Sequence, residues 1–369
     1  GKGPLAEIEY WRSRSASLST IYEQLYLPNM RKIIRVLEAA STRHESEAFR
    51  EFDGQLKELS KLHVEAKDNV KFLSTLERHF KSISAGTLHE VADTIPPMMN
   101  AIRMVWVISR HFNIDDRMVP LMGRIADELA EHVEAELDVR HVLRMEPPEA
   151  KKRISSAINV LEKWKDTYLK VRLKIEESQR DQRWEFDKKR LFERTDYIAL
   201  RCSDIFKVAQ VLEDFHNILG PELKAVTGDS QGIDEVLSRV DSLVVPLETV
   251  AYGIFDRGFQ SSWEAVMLRF NEDVSKIEDV TKAFINESFK KLRSAEGAFD
   301  LLQKFKHIKT RDSINKQMMD KFSDILGRYK EELNQVKQLF EENRDNPPTF
   351  KNQPPVAGAI AWSRALFYR

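Results

Sequence analysis

EAKKRISSAINVLEKWKDTYLKVRLKIEESQRDQRWEFDKKRLFERTDYIALRCSDIFKVAQVLEDFHNIL, residues 149–219, contains neither Gly nor Pro. Pro147-Pro148 precedes it and Gly220-Pro221 follows it. Proline is tolerated in the first turn of a helix, and Gly followed by Pro is a common stop, because Gly takes the left-handed cap and Pro cannot continue the ladder. Apolar residues recur at Ile154, Ile158, Leu161, Trp164, Tyr168, Val171 and Ile175. Steps of three and four place all seven on one helical side. At about 1.5 Å per residue, an unbroken helix here would reach roughly 107 Å. A second apolar series follows at Ile205, Val208, Leu212, Phe215 and Leu219. Between the two, residues 176–183 read EESQRDQR with no apolar side chain, and we expect a bend or short loop there.

Outside this stretch the periodicity stays helical. Residues 3–28 open with Gly3-Pro4, and Ile8, Trp11, Leu18, Ile21 and Leu25 fall on one face before Pro28 stops the helix. Helical pattern continues to about residue 84. Gly86 and Thr87-Leu88-His89-Glu90 form a stop and then a capping box. Ile95-Pro96-Pro97 reads as an interruption. Residues 98–112, MMNAIRMVWVISRHF, are the most apolar piece but too short to span a bilayer. Asp115 and Asp116 fit the start of a helix to about Met145, with Met118, Met122, Ile125, Leu129 and Val133 inward. GDSQG, residues 228–232, signals a loop. Residues 234–252 read as a helix bent by Pro246, and Ser261-Ser262-Trp263-Glu264 as a second capping box. The pairs Glu272–Lys276, Glu278–Lys282 and Glu287–Lys291 have the favourable i,i+4 order. No segment alternates as a strand pair with a hairpin turn.

The expected fold is therefore all-α, an elongated array of long-helix bundles. Its blocks are 1–146, one or more bundles; 147–220, long central helices; 221–258, a loop and shorter helices; 259–343, a long bundle; and 344–369, a Pro-rich connector and the start of a new helix.

Composition narrows the function. Of 369 residues, 42% are hydrophobic, enough for a core. Charged residues are 32% of the chain and nearly cancel, for a net charge of −1, which argues against a nucleic-acid or acidic-membrane binder. No run approaches the ~18 apolar residues of a membrane span. The single cysteine, Cys202, excludes an intrachain disulfide and points to a reducing compartment. The first residue is not Met and residues 365–369 read as mid-helix, so the sequence reads as part of something longer.

Catalytic and cofactor signatures are missing. Gly253 and Gly258 have P-loop glycine spacing, but Phe259-Gln260 stand where lysine and a hydroxyl would hold phosphate. Glu213 and His216 have the Glu-x-x-His spacing of di-iron bundles, without a second copy. Cys202, on an apolar helix, reads as a buried structural thiol rather than a nucleophile. Lys188-Lys189-Arg190 sits in a segment, 176–194, with six acids and six bases, which reads as a salt-bridged or solvated face. No catalytic, cofactor or metal residue is assigned. Trp184, Phe186, Leu191, Phe192, Tyr197 and Trp362 are the candidates for packing or a partner interface: aromatics anchor hot spots, and they equally fill cores.

Residues 184–205, WEFDKKRLFERTDYIALRCSDI, resemble the hallmark of the N-terminal tail region of dynein heavy chains. Gly3-Pro4 with EIEYWRSR resembles the family's opening. Pro96-Pro97 to Phe112 resembles its proline-plus-W-x-x-S helix, and PPVAGAIAWSRALF, residues 354–367, resembles its closing signature. The WEFD and LFERTDYIALR wording resembles axonemal chains, outer-arm ones in particular. The resemblance implies a non-catalytic tail, or stem, of a very large motor chain, carrying WD-repeat intermediate chains, light chains, neighbouring heavy chains and axonemal docking factors, with no nucleic-acid or membrane partner. ATP and its hydrolysis would belong to an AAA+ ring outside these residues. The implied setting is the axoneme of a cilium or flagellum, the cytoskeleton and the cytoplasm. The alternative is a motor-unrelated spectrin-like or tether-like helical scaffold. Its fixed repeat is not seen: the six tryptophans are 95, 58, 20, 79 and 99 residues apart.

Overall fold

A computed structural model describes residues 2–43, 47–177, 184–291, 299, 303, 312–348 and 354–368. Among them every regular element is helical. Two compact units form: Gly1–Lys207 with Val250–Trp263, and Val208–Thr249 with Glu264–Arg369. Two of the unit boundaries, at 207–208 and 263–264, fall inside helices.

The first unit opens with α1 (Pro4–Leu25), which packs along α3 (Glu47–Leu73); α2 (Pro28–Arg43) joins them. Gly3 caps α1 at φ 84°, a left-handed conformation, and a Cβ there would come within 2.5 Å of the Glu128 carboxylate. Ile8 and Trp11 are buried, but Leu18 and Leu25 are only half-buried and Ile21 is exposed. The apolar face expected along α1 thus serves the core over its first half. Farther on, Tyr22 lies 4.4 Å from the His63 ring, and Ser19 Oγ is 3.0 Å from His63 Nε2.

Helices α4 (Glu77–Ala85), α5 (Leu88–Ile108) and α6 (Asp115–Glu136) complete the layer. The Thr87–Glu90 capping box forms as expected. The prolines at 96 and 97 do not interrupt α5, correcting the expectation. Val91, Ala92, Ile95, Met98, Met99 and Ile102 are buried on one side, while Pro97 is exposed and Pro96 half-buried on the other. Inward packing outweighs the missing N–H bonds, which fall toward the outer side. Helix α6 ends at Glu136 rather than near Met145. A single-turn α7 (Val139–Val142), capped by Asp138 Oδ1, takes up the next residues.

Helix α8 (Pro147–Glu177) packs chiefly on α5. Ile154, Leu161, Trp164, Tyr168, Val171 and Ile175 are buried and Ile158 is half-buried. Burial of a large apolar side chain contributes about 1.5–3 kcal/mol, so this stripe holds the unit together. Helix α9 (Lys188–Ile218) begins eleven residues after α8 ends. Of the expected bend, residues 178–183 lie outside the described residues. The segment Val250–Trp263 returns to α9: Arg257 pairs with Glu193 at 2.7 Å, and buried Trp263 donates its Nε1 to Asp204 Oδ2 at 3.1 Å.

In the second unit, Val208, Leu212, Phe215 and Leu219 are buried. Gly220 caps α10 (Pro221–Thr227) with Pro221 in its first turn. Gly228 ends α10 at φ 69°, and Asp229 immediately caps α11 (Ser230–Ser242) through Gly232 N at 2.9 Å, so the GDSQG loop shrinks to two residues. The helix expected over 234–252 is two helices, α11 and α12 (Val245–Glu248), with Pro246 in the first turn of the second, where its missing N–H costs nothing. Helix α13 (Gln260–Lys291) is already under way at Ser261, so the second capping box does not form; Asp256, which accepts from Gly258 N at 2.8 Å, caps the short 3₁₀ turn before it. Along α13, Lys276 pairs with Asp273 at 2.7 Å, Lys282 reaches Glu278 at 4.0 Å, and Glu287 pairs with Lys290 at 2.8 Å; the Lys291 side chain lies outside the described residues. Helix α14 (Asp312–Asn343) meets α13 through Ser313 Oγ to Glu278 at 3.0 Å and Gln317 Nε2 to the Lys282 carbonyl at 3.2 Å. Helix α15 (Pro355–Phe367) follows.

Candidate functional site: the aromatic seat of residues 184–187

The four residues before α9 belong to no regular element, and their side chains alternate in burial. Trp184 and Phe186 are buried; Glu185 and Asp187 are exposed. The inward pair enters a nest of rings from three helices. Trp106 of α5 meets Trp184 edge-on at 6.3 Å and Phe186 at 5.5 Å. Tyr168 of α8 lies 6.2 Å from Trp184, and 5.4 Å from Phe192 of α9. Trp184 and Phe186 themselves meet at 5.2 Å. Each such aromatic pair adds about 0.5–1.5 kcal/mol beyond burial.

Polar groups fix the segment's register. Phe186 N donates to the Tyr168 hydroxyl at 3.1 Å, and Arg172 Nη1 donates to the Trp184 carbonyl at 3.4 Å. Arg172 also holds Glu185 at 3.0 Å and Glu176 at 2.8 Å. Burial works against the Arg172 charge, but the two carboxylates overcome it and raise its pKa. Burial also raises the Tyr168 pKa, keeping the hydroxyl neutral. The Asp187 carboxylate accepts from Lys189 N at 3.0 Å and Arg190 N at 3.4 Å, starting α9. Ser109, three residues after Trp106, ends α5: its Oγ accepts from Phe112 N at 2.9 Å and donates to Asp68 at 3.3 Å.

Five of the six candidate residues gather around this end of α9. Leu191 and Phe192 are buried beside the seat, and buried Tyr197 donates toward the Asp256 carbonyl at 3.4 Å. Trp362 does not join them; half-buried in the second unit, it stacks on Phe340 with centroids 6.1 Å apart. Trp106, Tyr168 and Arg172 complete the seat, and sequence reading did not group them with Trp184. The period-two alternation of residues 184–187 was the signal that an inward-facing receptor must exist. Lys188, Lys189 and Arg190 are exposed, while Arg194 bonds Asp127 at 2.9 Å and Glu134 at 3.2 Å, tying α9 to α6.

The contacts of the seat are those of packing: rings against rings and hydrogen bonds to backbone groups. Among the described residues no group of three or more His, Cys, Asp or Glu is placed to hold a metal. His216 contacts the Leu212 carbonyl at 2.7 Å and Asp241 at 3.0 Å. Cys202 is buried, and burial pushes its thiol up to about 12, far from a thiolate nucleophile. No described helix is long and apolar enough to cross a membrane.

An all-α segment whose most distinctive residues knit its own helices defines a helical-bundle class. Residues 1–369, the whole chain, match the family described as Dynein heavy chain, N-terminal region 1, and the chain belongs to it. It is 51% identical to the Dynein-1-alpha heavy chain of the flagellar inner arm I1 complex of Chlamydomonas reinhardtii and 44% identical to human Dynein axonemal heavy chain 10, over all of this chain but only 8% and 7% of those proteins. The Dynein beta chain of the Chlamydomonas reinhardtii flagellar outer arm is 26% identical, again over the whole chain and 8% of that protein. With relatives of 51% and 44% identity that are both axonemal, the chain is an axonemal dynein N-terminal region, as the wording of residues 184–205 implied. Membership also displaces the motor-unrelated spectrin-like or tether-like reading.

Proposed function

We propose that this chain is a non-catalytic stem segment of an axonemal dynein heavy chain of inner-arm type, working in the cilium or flagellum. It scaffolds WD-repeat intermediate chains, light chains and neighbouring heavy chains, and helps docking factors fix an ATP-driven microtubule motor whose AAA+ ring lies outside these residues. The observation that carries the reading is the family match over every residue. The aromatic seat supports it, since a stem that transmits force needs helices that cannot slide, and Trp184 and Phe186 are held against Trp106 of α5 and Tyr168 of α8, which itself meets Phe192 of α9. Immobilised chain incubated with ciliary extract should recover intermediate chains or other dynein heavy chains, and calorimetry should register no ATP binding. Recovery of tubulin alone, or tight ATP binding, would reject the proposal.

A further inference from the structure

The second unit leaves a trough between α13 and the pair α11 and α12. Val236 of α11, Leu243 just after that helix and Leu247 of α12 form one wall, and Phe270 and Ile277 of α13 form the other; all five are buried. Val266 and Val280, half-buried, extend the α13 wall at its two ends. At about 1.5 Å per residue, Val266 to Val280 corresponds to roughly 21 Å of helix. The trough has a volume of about 520 Å³ and is half open to solvent. Asp273 falls within the α13 wall, but Lys276 draws it aside at 2.7 Å.

The lips of the trough are cationic. Arg239 stands on one and Arg269 and Lys276 on the other, all exposed. Asp273 neutralises Lys276, whereas Arg239 and Arg269 have no ion pair among the described residues. Two positive charges are therefore left over an apolar floor, which favours an acidic partner. The open side decides its kind. Small-molecule sites enclose about 70–90% of their ligand, which a half-open trough does not. Nucleic acid would meet the arginines but leave the floor wet. A helix laid in a groove offers one apolar stripe at steps of three and four and keeps its flanks outside. Glutamates beside that stripe meet Arg239 and Arg269.

We infer that the trough between α11 and α13 docks an acidic amphipathic helix of about four turns from a partner protein. The inference goes beyond the scaffold reading and does not rest on it. The probe is a labelled peptide of about four turns, with leucines at steps of three and four and glutamates on both flanks. Titrated with the 369-residue chain, it should show by fluorescence anisotropy a Kd of about 1–100 μM that rises with salt. The same peptide with lysine for glutamate, or with alanine for leucine, should bind at least ~10-fold more weakly. Arg239→Glu combined with Arg269→Glu alters exposed side chains, so circular dichroism should match the parent. In that double variant the glutamate peptide should lose at least ~10-fold and the lysine peptide should gain. No binding of the glutamate peptide below ~1 mM, equal binding of either control peptide, or a double variant that leaves both affinities unchanged would overturn the docking surface. Any of these results leaves the scaffold reading to the ciliary-extract capture.

Discussion

The Phe186 backbone N–H and the Tyr168 hydroxyl are 3.1 Å apart, both buried, and this bond joins the non-helical entry of α9 to the middle of α8. Tyr168→Phe keeps the ring and removes the acceptor, stranding a buried N–H, which costs about 1–3 kcal/mol. Urea denaturation should show that loss with an unchanged m-value. A variant within ~0.3 kcal/mol of the parent would mean the bond contributes nothing.

Trp184 and Asp187 are three residues apart and do different work. Trp184→Ala should cost about 3–5 kcal/mol through the void it leaves among Trp106, Tyr168 and Phe186. Asp187→Ala removes only a cap and should cost about 1 kcal/mol. Thermal melts of the two variants should preserve that order; equal losses would refute the division of roles.

Gly3 combines a positive φ with the Glu128 carboxylate where a side chain would go. Gly3→Ala should lose about 1–3 kcal/mol, unlike substitution at Gly54, which has open space around it. Melting temperatures of Gly3→Ala and Gly54→Ala decide the matter.

Burial lowers the pKa of His63, with Lys67 adding to it, and of His79, with Arg78 adding to it. A histidine with a depressed folded pKa binds protons more readily when unfolded. Its stabilisation is complete above the unfolded value of about 6.5 and falls as pH drops below that. Glu77, held by Arg12 and then Lys81, has its pKa lowered to about 2, so its contribution is present above the ordinary carboxylate value and lost only as pH falls toward 2. Melts should therefore weaken from pH 7 to 5 through the histidines, and His63→Gln with His79→Gln should flatten that slope. An unchanged slope in the double variant would assign it elsewhere.

Cys202 should resist thiol reagents in the native chain, because burial both blocks access and raises its thiol to about 12. Modification by a disulfide reagent should track unfolding in urea. Rapid stoichiometric reaction without denaturant would contradict the packing around α9.

The helices themselves were legible in the residues. Spacing of three and four marked the inner face of α8 from Ile154 to Ile175, and Pro147 and Gly220 bracketed the central pair, because local sterics and one-sided apolar patterning act within a turn or two. The capping box at Thr87 was equally local. Pro96 and Pro97 went the other way: their local cost was plain, but the packing that overrides it comes from α8, distant in sequence. The same holds for Trp184 and Phe186. Residues 184–187 carry the alternation that points two rings inward, yet nothing near them names Trp106, Tyr168 and Arg172 as the receptor. Sequence by itself determined which segments are helices and which face of each is apolar, since those depend on neighbours a few residues away. Only the tertiary structure decided which faces meet and which stay in solvent, because that depends on contacts between side chains far apart in the chain, Glu7 and Arg124 being 117 positions apart, which no periodicity records.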